Sequence, residues 1–130
     1  MSINYTELMD YAIKASEKSY SPYSKFSVGA AVLMNSGKIY MGCNVENASY
    51  GMTICAERNA IFKAVSEGER GIVAIAIYSP QKGDCYPCGA CRQVISEFQF
   101  GDNEIEIVTE NNGKLDIKKL ADYMPYMFKF

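Results

Sequence analysis

There is no histidine anywhere in this 130-residue chain. The absence excludes Ser-His and Cys-His nucleophile pairs, and with them every metal site built on imidazole. A transition metal, if one binds, must be held by thiolates and carboxylates. Long apolar runs are missing as well: none approaches the ~20 residues that cross a bilayer. Nor is there a basic stripe, and a net charge of −2 gives no general attraction to polyanions or anionic membranes. The stretch from Met1 to Asp10 lacks the basic-then-apolar form of a signal peptide. A cytoplasmic protein with neither a membrane nor a nucleic-acid partner is the expectation.

What is present is an ordinary globular composition, 48% hydrophobic and 22% charged. The length predicts a single domain over residues 1–130. Five cysteines in a chain without a secretion signal read as metal or catalytic thiols rather than a disulfide framework.

Along the chain, Leu8, Tyr11, Ala12 and Ala15 recur at helical spacing and predict a helix over Tyr5 to Ser19, with Thr6 and Glu7 at its start and Pro22 beyond its end. Phe26 to Met34 and Lys38 to Cys43 read as a hairpin around Asn35-Ser36-Gly37. A polar loop, Asn44 to Thr53, leads to a second helix from about Cys55 to Glu67, with Gly68 as its stop. The apolar run Ile72 to Tyr78 is a strand buried on both faces. Ser79 to Pro87 is a loop, Gly89 to Phe98 a helix and Ile105 to Thr109 a fourth strand. After the turn Asn111-Asn112-Gly113, Asp116 to Tyr123 reads as a short helix with Asp116 as N-cap. The order α-β-β-α-β-α-β-α predicts a layered α/β domain with a mixed sheet, its first pair antiparallel and its later strands parallel.

The cysteine placement is the informative part. Cys88 and Cys91, in Pro87-Cys88-Gly89-Ala90-Cys91, share one face at a helix start and can hold one ion. Cys55 opens another helix, and each helix N-terminus favours the thiolate. Three thiolates would leave a fourth zinc position open, the mark of a catalytic rather than a closed structural site. Cys85 is the rival fourth ligand, though Pro87 disfavours a joint wrap, and Cys43 reads as a small core residue. Three thiolates also call for compensating positive charge, and Arg58 and Arg92 both sit beside ligands where they can hydrogen-bond sulfur. Glu57 alone would be a helix-N-terminal acid; beside Cys55 and ahead of a P-C-x-x-C it becomes a candidate proton shuttle.

Four segments carry a family resemblance: the run from Pro22 to Ala31, the run from Gly42 to Tyr50, Cys55-Ala56-Glu57-Arg58, and the run from Pro87 to Gln93. Together they resemble the small, homotetrameric cytidine deaminases over essentially the whole length. That resemblance implies a three-layer α/β/α domain with a five-stranded mixed sheet, one strand more than the pattern above supplies. It implies one zinc ion per subunit on Cys55, Cys88 and Cys91, with Glu57 as the catalytic residue. Asn44 and Glu46 would bind the ribose 3′-hydroxyl, Phe26 would pack on the pyrimidine and the Ala56 backbone would contact the base. Phe128, from the aromatic C-terminal segment, would reach a neighbouring subunit's site, and Tyr50 would lie at the same boundary. The activity implied is zinc-dependent hydrolysis of cytidine and deoxycytidine to uridine and deoxyuridine with release of ammonia, a reaction of pyrimidine salvage. In this chain Tyr86 stands where the family carries a small residue before the Pro-Cys.

Two other classes compete. A dithiol–disulfide exchanger would use Cys88 and Cys91 but leaves Cys55 and Glu57 without a role. A structural zinc module would need a fourth sulfur.

Overall fold

The structure, a computed structural model, describes residues 2–130. Its elements in chain order are α1 (Tyr5–Ser16), β1 (Gly29–Met34), β2 (Ile39–Cys43), α2 (Ala56–Ser66), β3 (Ile72–Tyr78), α3 (Gly89–Glu97), β4 (Glu106–Asn111), β5 (Lys114–Lys119) and α4 (Leu120–Tyr123). A 3-10 turn, Tyr50–Met52, interrupts the loop between β2 and α2. The five strands form one sheet in the order β2-β1-β3-β4-β5.

β1 and β2 make the expected hairpin, with Gly29 opposite Cys43 and Leu33 opposite Ile39. Gly37 supplies the turn at φ 91. β1 also runs antiparallel to β3, and the crossover through α3 sets β4 parallel to β3. The last strand departs from the sequence expectation. Lys114–Lys119 is extended and pairs antiparallel with β4, so Asp116 lies opposite Thr109 and caps no helix. Asn112 and Gly113, both at positive φ (53 and 80), form the tight turn that an antiparallel pair demands. The final helix is left with Leu120–Tyr123, and Asp122 accepts the Lys119 N–H at its start. α1 begins at Tyr5 as expected but is capped two residues before Thr6, by Asn4, whose side chain accepts from the Glu7 N–H.

Strand alternation splits the core into two layers. Ala31, Leu33, Ala74, Ala76 and Val108 face Leu8, Met9 and Ala12 of α1. Ala30, Val32, Met34, Ile75, Ile77 and Ile107 face Ala56, Ala60, Ile61 and Ala64 of α2, Ile95 of α3 and Leu120 of α4. The result is the expected α/β/α sandwich, with β3 covered on both sides. Each buried aliphatic side chain contributes roughly 1.5–3 kcal/mol.

Two glycines let the helices come close. A Cβ on Gly29 would lie 2.0 Å from the Ala12 carbonyl oxygen of α1, and one on Gly42 would lie 2.4 Å from the Ala60 nitrogen of α2. Asn59 Nδ2 then ties α2 to the end of β2 by donating to the Cys43 carbonyl at 2.8 Å. This contact fixes where the first turn of α2 sits. Gly42→Ala is therefore expected to cost about 3 kcal/mol by overpacking, read as a lowered urea midpoint. Gly51→Ala, with nothing within 4 Å of the added methyl, should leave the midpoint nearly unchanged.

Candidate active site

The functional cysteines are placed by helix starts. Cys55 is the N-cap of α2 and Cys88 the N-cap of α3, both with extended backbone and neither side chain spent on capping its own helix. Cys91 lies one turn into α3, fully buried. α2 packs against α3, and the three Sγ atoms all lie within 4.8 Å of one another. Cys55 and Cys88 are 3.9 Å apart. Tetrahedral zinc with Zn–S bonds of ~2.3 Å places its sulfurs about 3.8 Å apart, so the cluster fits that ion in both donor type and spacing. Among the described residues Cys85 stands outside the group. Its thiol is pushed up to about 11, chiefly by burial, and it packs against the α2/α3 core layer.

Electrostatics within the cluster point the same way. A hydrogen bond from Cys91, and others from Arg58 and Cys88, hold the Cys55 thiol well below its ordinary range. The reciprocal interaction with Cys55, together with burial, pushes Cys91 up. One negative charge is readily held there; a second and third need a cation among them. Arg58 contributes part of the compensation by donating from Nη2 to Cys55 Sγ at 3.4 Å. Arg92 does not: its Nε donates to the Pro87 carbonyl at 2.9 Å and its Nη1 to the Tyr123 carbonyl at 3.0 Å. Its guanidinium also stacks 5.3 Å from the Tyr123 ring centroid. The expectation of a sulfur contact fails because the nearby carbonyls of the Cys88 loop and of α4 take its planar fork of donors. Arg92 thereby braces the ligand loop against α4.

Glu57, in the first turn of α2, is 4% exposed. Burial pushes its carboxyl up to about 7, against the opposing pull of its own backbone N–H, while the Cys55 charge adds to the rise. An acid poised near neutrality can both accept and return a proton. It opens on a cavity of about 200 Å³ lined by Phe26, Asn44, Cys55, Ala56, Cys85, Tyr86 and Cys88 among others.

Asn44 and Glu46 owe their common orientation to strand periodicity. Val45 is bridged on both sides, to Tyr20 and to Ile54, so the segment is extended and residues 44 and 46 share a face. Asn44 is buried; its Oδ1 accepts from Ser19 Oγ and from the Val28 N–H, and its Nδ2 donates to the Phe26 carbonyl at 2.8 Å. Glu46 lies in an adjoining cleft with Tyr23, Ser24 and Tyr50, and Thr53 lines both spaces. Tyr50 is 75% exposed and meets Tyr23 edge-on at 6.0 Å. Phe128 is 70% exposed and does not line the cavity of its own chain. Thr53, Cys85 and Tyr86 are cavity residues that the sequence reading did not assign. Cys85 carries a signal only as a rival zinc ligand and Tyr86 only as a departure from the small residue that the family places before the Pro-Cys; the Tyr86 ring packs 5.7 Å from that of Tyr123.

An α/β/α fold with three thiols at paired helix N-termini, beside a buried carboxylate, has the layout of a zinc-dependent nucleobase deaminase. Comparison with known proteins agrees, for residues 2–107 match the family described as "Cytidine and deoxycytidylate deaminase zinc-binding region". The chain belongs to that family. It is 50% identical over 115 residues to a cytidine deaminase of Sporosarcina psychrophila, covering 88% of this chain and 84% of that one. A crystal structure of cytidine deaminase from Burkholderia pseudomallei superposes with a TM-score of 0.88 at 44% identity, covering 97% of this chain and 100% of that one. The cytidine deaminase structure from Mycobacterium tuberculosis gives a TM-score of 0.85 at 34% identity, with 99% and 100% covered.

The geometry separates the two residues that could modulate the metal. Arg58→Ala should weaken zinc retention about 10–100-fold in a chelator competition, whereas Cys85→Ala should leave it unchanged. Loss of zinc from the Cys85 variant would place that sulfur among the ligands.

Proposed function

We propose that this chain is a zinc-dependent cytidine deaminase, converting cytidine and deoxycytidine to the corresponding uracil nucleosides and ammonia. The observation that carries the reading is the convergence of Cys55, Cys88 and Cys91 within 4.8 Å, beside buried Glu57 in a cavity that Phe26 and Asn44 also line. Those three cysteines hold the ion, which when bound supplies a Lewis acid that brings the pKa of a water toward neutrality.

The chain's own residues do the rest. Glu57 takes a proton from the attacking water and delivers it to the ring nitrogen beside the amino-bearing carbon, making that carbon electrophilic. After the water oxygen has added there, Glu57 takes that oxygen's remaining proton and carries it to the amino group, which departs as ammonia as the carbon–nitrogen bond breaks. The carbonyl of the uracil product remains. Burial of Glu57 serves this sequence by keeping both protonation states accessible near neutral pH. The Ala56 backbone and the Phe26 ring orient the base at the cavity wall, while Asn44 and Glu46 receive the ribose 3′-hydroxyl. Arg58 sustains the thiolate charge of the ligand set.

Free nucleoside fits this site better than nucleotide or nucleic acid. Glu46 would repel a 3′-phosphate, and the slight negative charge of the chain supplies none of the phosphate-driven affinity of polynucleotide binders. No helix of the described residues is long and apolar enough to cross a membrane. Exposed Tyr50, Met52, Tyr126 and Phe128 form apolar surface suited to burial between subunits. That supports a homotetramer in which Phe128 completes a neighbouring site near Tyr50. A free-nucleoside substrate supports a role in pyrimidine salvage, and the cytoplasm is the compartment proposed for it.

Glu57→Gln removes the proton carrier but no ligand. Turnover of cytidine should fall by at least ~10²–10⁴-fold, with full zinc content by metal analysis; near-normal turnover would refute the assignment. In an absorbance assay the wild-type protein should deaminate cytidine and deoxycytidine but neither cytidine monophosphates nor single-stranded DNA, and efficient deamination of an oligonucleotide would overturn the nucleoside reading.

A further inference from the structure

The turn that precedes β1 is joined to Glu46 by three hydrogen bonds. The Tyr23 N–H donates to Oε1 at 2.9 Å, the Ser24 N–H to the same oxygen at 3.1 Å, and the Ser24 hydroxyl to Oε2. Ser24 Oγ simultaneously accepts the Phe26 N–H at 3.0 Å. On the other side of the same residue, Asn44 Nδ2 donates to the Phe26 carbonyl at 2.8 Å. Both peptide groups of Phe26 are thus held from the sugar end of the site, one through Ser24 and one directly. Between Ser24 and Phe26 stands Lys25 at φ 60. A lysine in the left-handed region is uncommon and persists where its surroundings impose it. The Ser24 bonds on either side of Lys25 are such a constraint.

A hydroxyl is suited to this place because it donates and accepts at once. Its proton goes to the Glu46 carboxylate and its lone pair to the Phe26 amide. No other side chain within the turn links the two. The hydrogen bond from Ser24 is also the largest of the influences that lower the Glu46 carboxyl from its ordinary range, keeping it an acceptor.

We propose that Ser24 is a positioning residue of the deaminase, coupling the orientation of the Glu46 carboxylate to the placement of the Phe26 ring, so that the sugar hydroxyl and the base are recognised as one unit. The inference rests on the assignment of Glu46 as the acceptor for the ribose 3′-hydroxyl. Ser24 is exposed and touches neither the cysteine cluster nor Glu57, so its effect should fall on binding rather than on proton transfer.

The test compares cytidine with 3′-deoxycytidine in the zinc-loaded wild-type, Ser24→Ala, Ser24→Thr and Glu46→Gln proteins. Ser24→Ala should raise KM for cytidine on the order of tenfold, the scale of one hydrogen bond to a charged group. KM for 3′-deoxycytidine should rise no more than about threefold, with kcat for cytidine within about twofold of wild type. Ser24→Thr, which keeps the hydroxyl, should restore the cytidine KM. Equal penalties on the two substrates, or a Thr variant as impaired as the Ala variant, would reduce Ser24 to a merely structural residue and overturn the proposal. Glu46→Gln separates the layers of the inference. If it leaves the preference for cytidine over the 3′-deoxy compound at the wild-type value, the sugar assignment fails and this proposal with it. If it collapses that preference while Ser24→Ala does not alter it, the assignment of Glu46 stands and the role of Ser24 alone is wrong.

Discussion

The constraint on which the site depends is the crowding of three thiols at two helix starts. Sulfurs this close cannot all be ionised without a cation among them, and the first thiolate is already favoured at Cys55 by its hydrogen bonds to Cys91 and Arg58. The helix N-termini add positive potential but cannot supply two further charges' worth of compensation. A soft divalent ion satisfies the arrangement, and three protein ligands leave one position for chemistry. Glu57 is then neither a ligand nor a surface acid. Its place in the first turn of α2, under the same packing that brings α2 to α3, gives it burial and hence a carboxyl poised near neutrality.

The scaffold serves that constraint through close approach. Gly42 and the Asn59 bond to β2 set the height of α2 over the sheet, while Arg92 ties the loop before α3 to α4. β3, flanked by β1 and β4 and covered on both faces, holds these helices to one frame. The end of the site around Asn44 and Glu46 is built differently, from an extended segment and a turn that exchange hydrogen bonds with each other. Its polar side chains are therefore largely satisfied within the protein, which orients them but leaves little freedom to move.

Much of this was legible in the chain's residues. Helical spacing located α1, α2 and α3 within a few residues of their observed ends, and the absence of histidine directed attention to Cys55, Cys88 and Cys91. The fifth strand was not read because Lys114–Lys119 is an edge strand rich in charge. Only Leu115 and Ile117 carry its two-residue period, too short a signal to outweigh an apparent N-cap at Asp116. The Asn112-Gly113 turn was the better clue, since a tight turn of that kind joins antiparallel strands. Arg92 and Ser24 lay beyond reach for a different reason. Both act through carbonyls, amides or carboxylates distant in sequence, Tyr123 for one and Glu46 for the other. Cys85 illustrates the converse, for sequence proximity to Cys88 makes it a candidate ligand, whereas in the fold it packs against the core layer under α2 and α3, outside the three-sulfur group.

X-ray absorption at the zinc edge of the purified protein tests the central claim most directly, because it counts the atoms around the ion without reference to activity. The account predicts three sulfurs and one oxygen or nitrogen neighbour. Four sulfurs, with no lighter ligand, would contradict it and make the site a structural staple.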